Sequence, residues 1–480
     1  MSTSRVPAWI TDAVFYQIFP DRFARSERVP KAARLEAWDT APTRHGYKGG
    51  DLLGVVEHLG WLEELGVNAL YLNPIFQSAS NHRYHAYDYC RVDPMLGGNQ
   101  AFDELIEAAH RRGMRVVLDG VFNHTGRGFF PFHDVLENGA DSPYVDWFTI
   151  YGTPVNAYDL NRPPGYEAWW HMHALPKLNA ANPAVREYLM GVAEHWIRRG
   201  ADGWRLDVPE EITSPGFWEE FRARVRAVNP EAYLVGEIWH PAPEWTAGGD
   251  RFDGVMNYAL TEAVLRFAAG SHIDPQVVAP VNLTLQPPLD APGYRAAVER
   301  LLAAYPEEAH RGNLNLLGSH DTARVLSMVG EDADSVVLAA ALVFCFPGAP
   351  CIFYGDEIGL GGHHDPGARA GFPWARPDSW NGRLLEAFRG LTALRRAHAA
   401  LRRGAYRHLH AEGSVYACGR DLEGEHLVVA LNAGHQGAGL GFPMAGEVTE
   451  RLWGSGQARL QGGAWQGELP GRAAGVWLVR

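Results

Sequence analysis

The sequence predicts an α/β protein whose main domain is an eight-stranded parallel barrel, followed by a C-terminal antiparallel β-sandwich. From residue 13 to about 400, eight short apolar segments alternate with segments of helical period. Beyond residue 400, short alternating strands follow one another without helices between them. The 480 residues are enough for a barrel of about 250 residues with additional parts. Eight strands with intervening helices favour a closed (β/α)8 barrel over an open sheet.

The predicted barrel strands are short runs of apolar, β-branched or aromatic residues. They are AVFYQIF (13–19), NALYLNP (68–74), RVVLDGV (115–121), DGWRLDV (202–208), AYLVGEI (232–238), FDGVMNY (252–258), NLNLLGS (313–319) and PCIFYGD (350–356). The segments between them predict helices. Residues 51–65 repeat leucine and valine at three- and four-residue steps, and 183–199 follows Asn182 and Pro183, a capping residue and a proline suited to the first helical position.

Two further segments set the domain boundaries. Residues 125–182, after the third strand, are rich in Pro, Gly, Asn and aromatic residues and are too long for an ordinary loop, which predicts an inserted domain. The segments SVYACGR, EHLVVALN and GVWLVR predict the antiparallel sandwich. The expected division is therefore barrel 1–124 and 183–400, insertion 125–182, and sandwich 401–480.

Composition excludes several functional classes. The chain carries 43 basic and 56 acidic residues, a formal charge of -13, without the basic clusters that bind nucleic acid or an anionic membrane. Its four cysteines lack a metal-binding spacing and are too few to crosslink a chain of this length. The first twelve residues lack the apolar core of a secretory signal. We therefore expect a cytoplasmic protein with reduced thiols.

Acidic residues follow three of the predicted strands. Asp207 ends the fourth and Glu237 the fifth, and the pair His320 and Asp321 follows the seventh. Because the carboxyl ends of parallel barrel strands surround one mouth, these acids are predicted to converge there. Cleavage of an acetal needs one carboxylate to attack or stabilise the anomeric carbon and one carboxylic acid to protonate the leaving oxygen. The pattern therefore predicts cleavage of a glycosidic bond.

The neighbours of the two principal acids suit these two tasks. Arg205 precedes Asp207 by two residues, so on a strand both side chains point to the same side, where the guanidinium would keep the aspartate ionised. Glu237 lies among Gly236, Ile238 and Trp239, an apolar setting that favours a protonated acid.

Five ordered motifs resemble the alpha-amylase family of glycoside hydrolases. They are DGVFNH (119–124), LPKLN (175–179), GWRLDVPEE (203–211), GEIW (236–239) and LLGSHD (316–321). The resemblance runs from about residue 9 to the end, and LPKLN with Glu211 is most similar to the neopullulanase, cyclomaltodextrinase and maltogenic amylase subgroup. It implies a TIM barrel that hydrolyses α-1,4-glucosidic bonds of maltooligosaccharides, starch, cyclodextrins or pullulan, with α-1,6 bonds as a second candidate linkage.

The resemblance also implies roles for individual residues. Asp207 would be the nucleophile of a retaining mechanism through a covalent glucosyl-enzyme, Glu237 the general acid/base and Asp321 the stabiliser of the transition state. Asp119 would be a structural acid near the mouth. The residues implied in substrate binding are Tyr84, His124, Lys177, Asn179, Arg205, Glu211, Trp239, His320, Asp365 and Arg369.

Aromatic residues in loops at the barrel mouth are candidates for stacking on sugar rings. We expect Phe76, Trp169, Trp170 and Trp239 there, with burial in the core as the competing interpretation. The remaining histidines of these loops receive no catalytic role: they are His85, His171, His173, His240, His363 and His364.

The chain also departs from the subgroup that it resembles. It begins close to the first barrel strand, so we expect no N-terminal β domain, no dimer formed through such a domain, and a monomer with a more open cleft. Glu210 replaces the usual Asn, and His85 replaces the usual Asp after Tyr84. The acceptor side of the site is expected to differ accordingly.

No cofactor is expected. The loop after DRF (21–23) is poor in oxygen ligands, so we predict no calcium there, although Asn123 is a candidate ligand of a second site in the family and Asp51 a further candidate. Two alternatives to a hydrolase stay open. One is a glucosyl transferase or isomerase that passes the same intermediate to a sugar, and the other is a carbohydrate-binding relative without activity, which should have lost one of the three principal acids.

Overall fold

The computed structural model describes residues 6–31, 34–446 and 448–480; residues 1–5 of the predicted barrel, Ala32 and Ala33 of the loop after DRF, and residue 447 of the predicted sandwich lie outside this range. Eight parallel strands form the central sheet. They are β1 (Phe15–Ile18), β2 (Ala69–Leu72), β3 (Arg115–Gly120), β4 (Gly203–Leu206), β5 (Tyr233–Gly236), β6 (Gly254–Val255), β7 (Leu314–Leu316) and β8 (Ala349–Phe353).

Consecutive strands from β1 to β6 pair with each other, β7 pairs with β8, and β8 pairs with β1. A parallel bridge between Met256 and Leu314 joins the β6 and β7 segments, so the sheet closes on itself. All eight predicted strands are present and the predicted barrel is confirmed. The strands are fully buried apart from Arg115 at the start of β3, because helices cover the outer face and side chains fill the interior.

Helices surround the barrel in the intervals between strands. The main ones are Leu52–Glu57, Leu59–Leu65, Gly98–Arg111, Pro183–Arg198, Phe217–Val228, Tyr258–Ala268, Ala291–Ala304, Ala333–Cys345 and Gly382–Ala397; shorter ones are Ala8–Thr11, Pro20–Phe23, Pro243–Thr246, Pro275–Val278, Glu307–Gly312, Val325–Met328 and Ala399–Arg403. The helix predicted over 51–65 is interrupted at His58. The helix predicted from 183 begins there, with the Asn182 side chain accepting hydrogen bonds from the Ala184 and Val185 amides.

The insertion after β3 contains little regular structure. A helix, Phe130–Asn138, three short 3₁₀ turns and isolated bridges such as His124 with Lys177 hold it together. Its centre is aromatic: the ring of Phe132 packs at 5.0 Å from Phe148 and 4.8 Å from Tyr166. A small hairpin, Phe76–Ser78 with Ala86–Val92, follows β2. These two segments rise from the carboxyl ends of the strands and build one side of the mouth.

The C-terminal part is an antiparallel sandwich, as predicted. A five-stranded sheet contains Ala405–Glu412, Val415–Leu422, Glu425–Asn432, Ala473–Val479 and Val448–Gly454, and a three-stranded sheet contains Ala438–Pro443, Ala464–Leu469 and Gln457–Gln461. Successive residues of the larger sheet face opposite ways. Ala417 and Val428 pack between the sheets with Trp465, whereas Cys418 and Val429 join the core shared with the barrel. No helix in the described part of the chain is long and apolar enough to cross a membrane.

Candidate active site

The guanidinium of Arg205, on β4, is the centre of a buried charged cluster at the mouth of the barrel. Its Nη1 lies 2.8 Å from Oδ1 of Asp119 and 2.9 Å from Oδ1 of Asp207. Its Nη2 lies 2.9 Å from Oε2 of Glu237. One arginine therefore joins acids from the ends of three adjacent strands, β3, β4 and β5. Arg205 is fully buried, and Asp207 and Glu237 are almost so.

Asp207 differs from its neighbours in having a carboxylate oxygen that nothing binds. Its Oδ2 is buried and has no hydrogen-bond partner among the residues that the structure describes. Burial raises the pKa of Asp207 well above its usual range, the charge of Glu237 raises it further, and Arg205 opposes both. Arg205 thus favours the ionised form of Asp207, as its sequence position predicted, while burial and the second carboxyl group, which the sequence position did not indicate, act in the opposite direction.

Glu237 lies among hydrogen-bond donors rather than in the apolar setting that its sequence neighbours indicated. Its Oε2 accepts from the backbone amide of Val208 at 3.1 Å in addition to its contact with Arg205, and its Oε1 accepts from Nε1 of Trp239 at 3.2 Å. Trp239 is itself fixed by stacking on Tyr258, with ring centroids 3.7 Å apart. The indole therefore orients Glu237, a contact that strand periodicity could not reveal.

The third acid, Asp321, is partly exposed and lies beside His320 and Arg369. Its Oδ2 is 3.1 Å from Nε2 of His320, and its Oδ1 is 3.4 Å from Nη2 of Arg369. Arg369 also contacts Oδ1 of Asp365 at 2.9 Å and donates to the His320 carbonyl. Although one side of Asp321 is open to solvent, the surrounding protein desolvates the carboxyl group and raises its pKa to about 7, with Glu237 adding to the effect and Arg369 opposing it. The structure thus brings together four predicted residues from two loops: His320, Asp321, Asp365 and Arg369.

Tyr84 connects Asp119, in the cluster around Arg205, to His320, the neighbour of Asp321. Its hydroxyl lies 2.8 Å from Oδ2 of Asp119 and 2.6 Å from Nε2 of His320, and its ring is parallel to the imidazole at 5.3 Å. Burial holds the pKa of His320 well below its usual range, so the imidazole is neutral. Nδ1 of His320 contacts the side-chain amides of Gln17 at 2.9 Å and Asn73 at 3.1 Å.

The sequence interpretation missed Gln17, Asn73 and also Tyr71, whose hydroxyl donates to Oδ2 of Asp119 at 2.8 Å. The sequence contained a signal for each of these three residues. Gln17 and Tyr71 carry polar atoms inside short apolar strands, and Asn73 directly follows β2. Polar groups in such positions need partners when buried, and here the partners are the acids and His320.

On the other side of the mouth, His124 is buried against the insertion. Its imidazole is parallel to the ring of Trp169 at 4.8 Å, and its Nε2 has no partner in the part of the chain that is described. Burial lowers the pKa of His124 to about 3, which keeps it neutral. Trp169 is half-buried beneath the exposed Trp170. Both tryptophans therefore lie at the mouth as expected.

Three ion pairs lie at or beside the loop after β4. Nζ of Lys177, from the LPKLN segment, is 3.0 Å from Oε2 of Glu211 and 3.5 Å from Oε1 of Glu167. The adjacent Glu210 pairs with His240 across 2.9 Å. The backbone contact to Pro241 raises the pKa of His240, and Glu210 raises it further. Glu210 and Glu211 thus connect the β4 loop to the β5 loop and to the insertion.

Two predicted residues lie elsewhere. Phe76 is buried in the core, with its ring 5.1 Å from Trp196, so the prediction that it stacks on sugar at the mouth is wrong. Side-chain burial was the competing interpretation, and the hairpin that contains Phe76 turns it inward. Asn179 uses its amide within the insertion, donating from Nδ2 to the Asp146 carbonyl at 3.1 Å and accepting from the Ala181 amide. A sugar contact for Asn179 stays a prediction.

The two candidate calcium ligands have different surroundings. Oδ2 of Asp51 is paired with Nζ of Lys31 at 2.7 Å and accepts from the Ser26 amide, while its Oδ1 caps a helix through the Gly54 amide. Oδ1 of Asn123 is buried without a partner among the described residues. However, no group of three or more His, Cys, Asp or Glu side chains suited to a metal occurs in residues 6–31, 34–446 and 448–480.

A parallel barrel whose mouth gathers three acids, an arginine and neutral histidines defines a glycoside hydrolase site. Comparison with known proteins identifies the family. The family model of the alpha amylase catalytic domain matches residues 17–381 of this sequence. The chain therefore belongs to the alpha-amylase family and is an enzyme of the glycoside hydrolase class. The resemblance read from the five motifs is thereby confirmed.

Relatives support the same assignment. A cyclomaltodextrinase from Bacillus sp is 42% identical over 436 residues, which covers 89% of this chain and 74% of the relative. Neopullulanase 2 from Thermoactinomyces vulgaris is 42% identical over 431 residues, covering 89% and 70%. The crystal structure of a debranching enzyme from Nostoc punctiforme is 48% identical with a TM-score of 0.92, and 99% of each chain is covered.

Proposed function

We propose that this protein is a retaining hydrolase of α-1,4-glucosidic bonds in maltooligosaccharides, starch, cyclodextrins or pullulan, with activity on α-1,6 bonds as well. The observation that carries the proposal is the shared guanidinium of Arg205, which contacts Asp207 and Glu237 at 2.9 Å each. Both carboxyl groups therefore face one small group at the mouth of the barrel. This arrangement supports a mechanism in which one of them attacks the anomeric carbon and the other protonates the leaving oxygen of the same bond, as in a retaining enzyme.

In the proposed mechanism, the unbound oxygen of Asp207 attacks the anomeric carbon while Glu237 protonates the leaving glycosidic oxygen. A bond forms between Asp207 and the sugar as the glycosidic bond breaks. Glu237, now ionised, then takes a proton from water, which attacks the same carbon and releases Asp207. Two inversions at one carbon leave the α configuration unchanged.

The contacts of Arg205 and Trp239 support this division of labour. The reaction needs a proton on Glu237 and a negative charge on Asp207. Arg205 contacts both groups and so stabilises the charge on whichever is ionised. The indole N–H of Trp239 donates to Glu237, and this contact holds the acid in place for proton transfer.

The proposed site for the glucose at the cleaved end is lined by neutral donors and acceptors. Both His124 and His320 are uncharged, which suits hydrogen bonding to hydroxyl groups without adding charge near the forming oxocarbenium. Arg369 and Asp365 form an ion pair. The guanidinium of Arg369 can donate to one hydroxyl group of the glucose ring, and the carboxylate of Asp365 can accept from another. Asp321 contacts both His320 and Arg369, so its charge lies beside this glucose.

A glucosyl transferase is the second candidate. It would use the same intermediate but direct it to a sugar, and the paired side chains Lys177 with Glu211 and Glu210 with His240 offer hydroxyl-binding groups on the acceptor side. A carbohydrate-binding protein without activity is disfavoured, since Asp207, Glu237 and Asp321 are all present.

Product analysis of the purified protein tests the proposal. Maltotriose, soluble starch, pullulan and β-cyclodextrin are incubated with the protein and with the Asp207→Asn variant. Glucose and maltose are the expected products, and panose from pullulan would mark neopullulanase-like cleavage. Products longer than the substrate would favour the transferase. Absence of reaction with every substrate, or equal reaction by the Asp207→Asn variant, would contradict the proposal.

We also propose that the enzyme needs no metal and works as a cytoplasmic monomer. The Asp51 carboxylate already forms an ion pair with Lys31, and it would lose this ion pair if it bound calcium. All four cysteines are free, and Cys345, Cys351 and Cys418 are buried thiols, which is typical of a reducing compartment. Cell fractionation and light scattering of the purified protein test the compartment and the oligomeric state.

A further inference from the structure

The insertion exposes five large apolar side chains. They are Phe130, Tyr151, Tyr158, Leu160 and Trp170, between 62% and 77% accessible, and they are the only exposed large apolar residues in the described part of the chain. Scattered exposed apolar residues need no explanation by themselves. Trp170 is different, because both its backbone and its ring contacts are unusual.

The backbone at Trp170 is held in a strained conformation. Trp170 has φ 50° and His171 has φ 57°, so two consecutive residues with side chains adopt the left-handed region. This region is unfavourable for residues with side chains, and the conformation persists only where neighbouring contacts impose it. Here the His171 amide donates to the Ala168 carbonyl and the Met172 amide to the Trp169 carbonyl. The turn therefore fixes Trp170 outward instead of letting its large ring fold into the core.

The ring of Trp170 is connected to the active site by stacking. It lies 4.3 Å from the ring of Trp169 at an interplanar angle of 16°, and Trp169 lies 4.8 Å from the imidazole of His124 at 7°. Three nearly parallel rings thus lead from a buried histidine of the site, with its unpartnered Nε2, to the surface. Trp169 covers one face of Trp170, and the 71% accessibility of Trp170 leaves the rest of its ring to solvent.

We propose that the exposed face of Trp170 is a binding platform for a glucosyl unit of the α-glucan chain outside the glucose that is cleaved. This inference rests on the proposed function, since it takes the ligand from the chemistry of the neighbouring acids. The C–H faces of a glucose ring are apolar and pack on a flat aromatic ring, and the stacked arrangement releases water from both surfaces. Trp170 is a single rigid platform, because Trp169 supports it from behind.

This position makes Trp170 a determinant of chain length. A trisaccharide bound across the acids places few units beyond the cleaved bond, whereas a chain of seven units extends out of the site. The contact with Trp170 is then available only to the longer substrate. If Trp170 had only a structural role, its substitution would lower stability and affect all substrates equally. A side chain this exposed buries little apolar surface, so it contributes little to the free energy of unfolding.

The test compares kcat/KM for maltoheptaose and maltotriose in the wild type and in Trp170→Ala, Trp170→Leu and Trp170→Phe. The matched control is Leu160→Ala, an apolar residue of the same insertion with 77% accessibility. We expect the maltoheptaose to maltotriose ratio to fall about threefold to tenfold in Trp170→Ala and Trp170→Leu, the range typical of one aromatic contact. It should change less than about twofold in Trp170→Phe and Leu160→Ala.

A ratio unchanged in both Trp170→Ala and Trp170→Leu would overturn the platform. Trp170→Leu keeps an apolar side chain without a flat ring, so it remains informative if Trp170→Ala folds poorly. Binding of maltoheptaose, followed by isothermal titration in an Asp207→Asn background, separates this inference from the proposed function. The comparison is between the Asp207→Asn protein and the double variant that also carries Trp170→Ala. Weaker binding of maltoheptaose by the double variant supports the platform, even if the wild type hydrolyses neither sugar. Equal binding by the two proteins refutes it.

Discussion

Two buried groups of acids lie at the mouth of the same barrel, and they differ in how their oxygens are bound. The first is the cluster of acids around Arg205. The second follows β8, where Nη1 of Arg324 lies 3.0 Å from Oδ1 of Asp356 and the neighbouring Glu357 is fully buried. Both contain an arginine and carboxyl groups at the ends of barrel strands, and burial raises the pKa of acids in both.

The difference lies in how the oxygens are satisfied. Both oxygens of Glu357 accept hydrogen bonds, Oε1 from the Tyr16 hydroxyl and Oε2 from the Gly355 amide, each at 2.9 Å. In contrast, Oδ2 of Asp207 is unbound by any residue that the structure describes. A raised pKa and burial are therefore common to structural and functional acids. The informative feature is an oxygen left free, beside a proton donor, where a substrate can reach it.

The largest expected effect separates the two clusters by activity. Asp207→Asn should reduce hydrolysis of maltotriose by about 10⁴-fold or more, because an amide cannot attack the anomeric carbon. Asp356→Asn should leave activity within about tenfold and lower the free energy of unfolding by about 1–3 kcal/mol, since Arg324 loses its charged partner. Steady-state rates and denaturant unfolding measure both quantities. An Asp356→Asn protein that is folded but as inactive as Asp207→Asn would remove the distinction.

The second prediction concerns the pH dependence of stability. Burial raises the pKa of Glu357 to about 8, with the charge of Asp356 adding to it and Tyr16 and Arg324 opposing it. From about pH 5 to pH 8 the unfolded chain has released this proton while the folded protein still holds it, so stability falls as the pH rises. Glu357→Gln removes this contribution and should lessen the decline by about 1 kcal/mol or more.

Denaturant unfolding at pH 5 and pH 8 measures this change for the wild type and for Glu357→Gln. Tyr16→Phe is the control, because it removes a hydrogen bond of Glu357 but keeps the carboxyl group that titrates. An identical decline in the wild type and in Glu357→Gln would show that Glu357 is ionised in the folded protein across this range.

The smallest expected effect is that of chelation. Arginine and lysine side chains provide the positive charge beside the buried acids, with Arg205 and Arg324 at the mouth and Lys31 beside Asp51. Incubation with EDTA should therefore leave activity unchanged and shift the melting temperature by less than about 1 °C. Addition of calcium after EDTA is the control. A large loss on chelation that calcium restores would refute metal independence and direct attention to the unpartnered Oδ1 of Asn123.

Much of the fold could be predicted because it depends on local sequence. The eight strands and the cap at Asn182 follow from periodicity and residue type over a few positions. Parallel strands in a barrel direct their ends to one mouth, so Asp207, Glu237 and Asp321 could be placed there in advance. The misplaced residue, Phe76, belongs to the hairpin after β2, where no long repeating pattern indicates the direction of a side chain.

The amino-acid sequence by itself determined the barrel, the sandwich and the identity of the acids at the strand ends, because hydrophobic period and strand polarity are local properties. Tertiary structure decided which acids share a guanidinium, which oxygen stays unbound and which aromatic rings stack from His124 to the surface. These features depend on distances between residues far apart in the chain. Charge, burial and hydrogen bonding act over a few ångströms of space, and only the folded chain sets those distances.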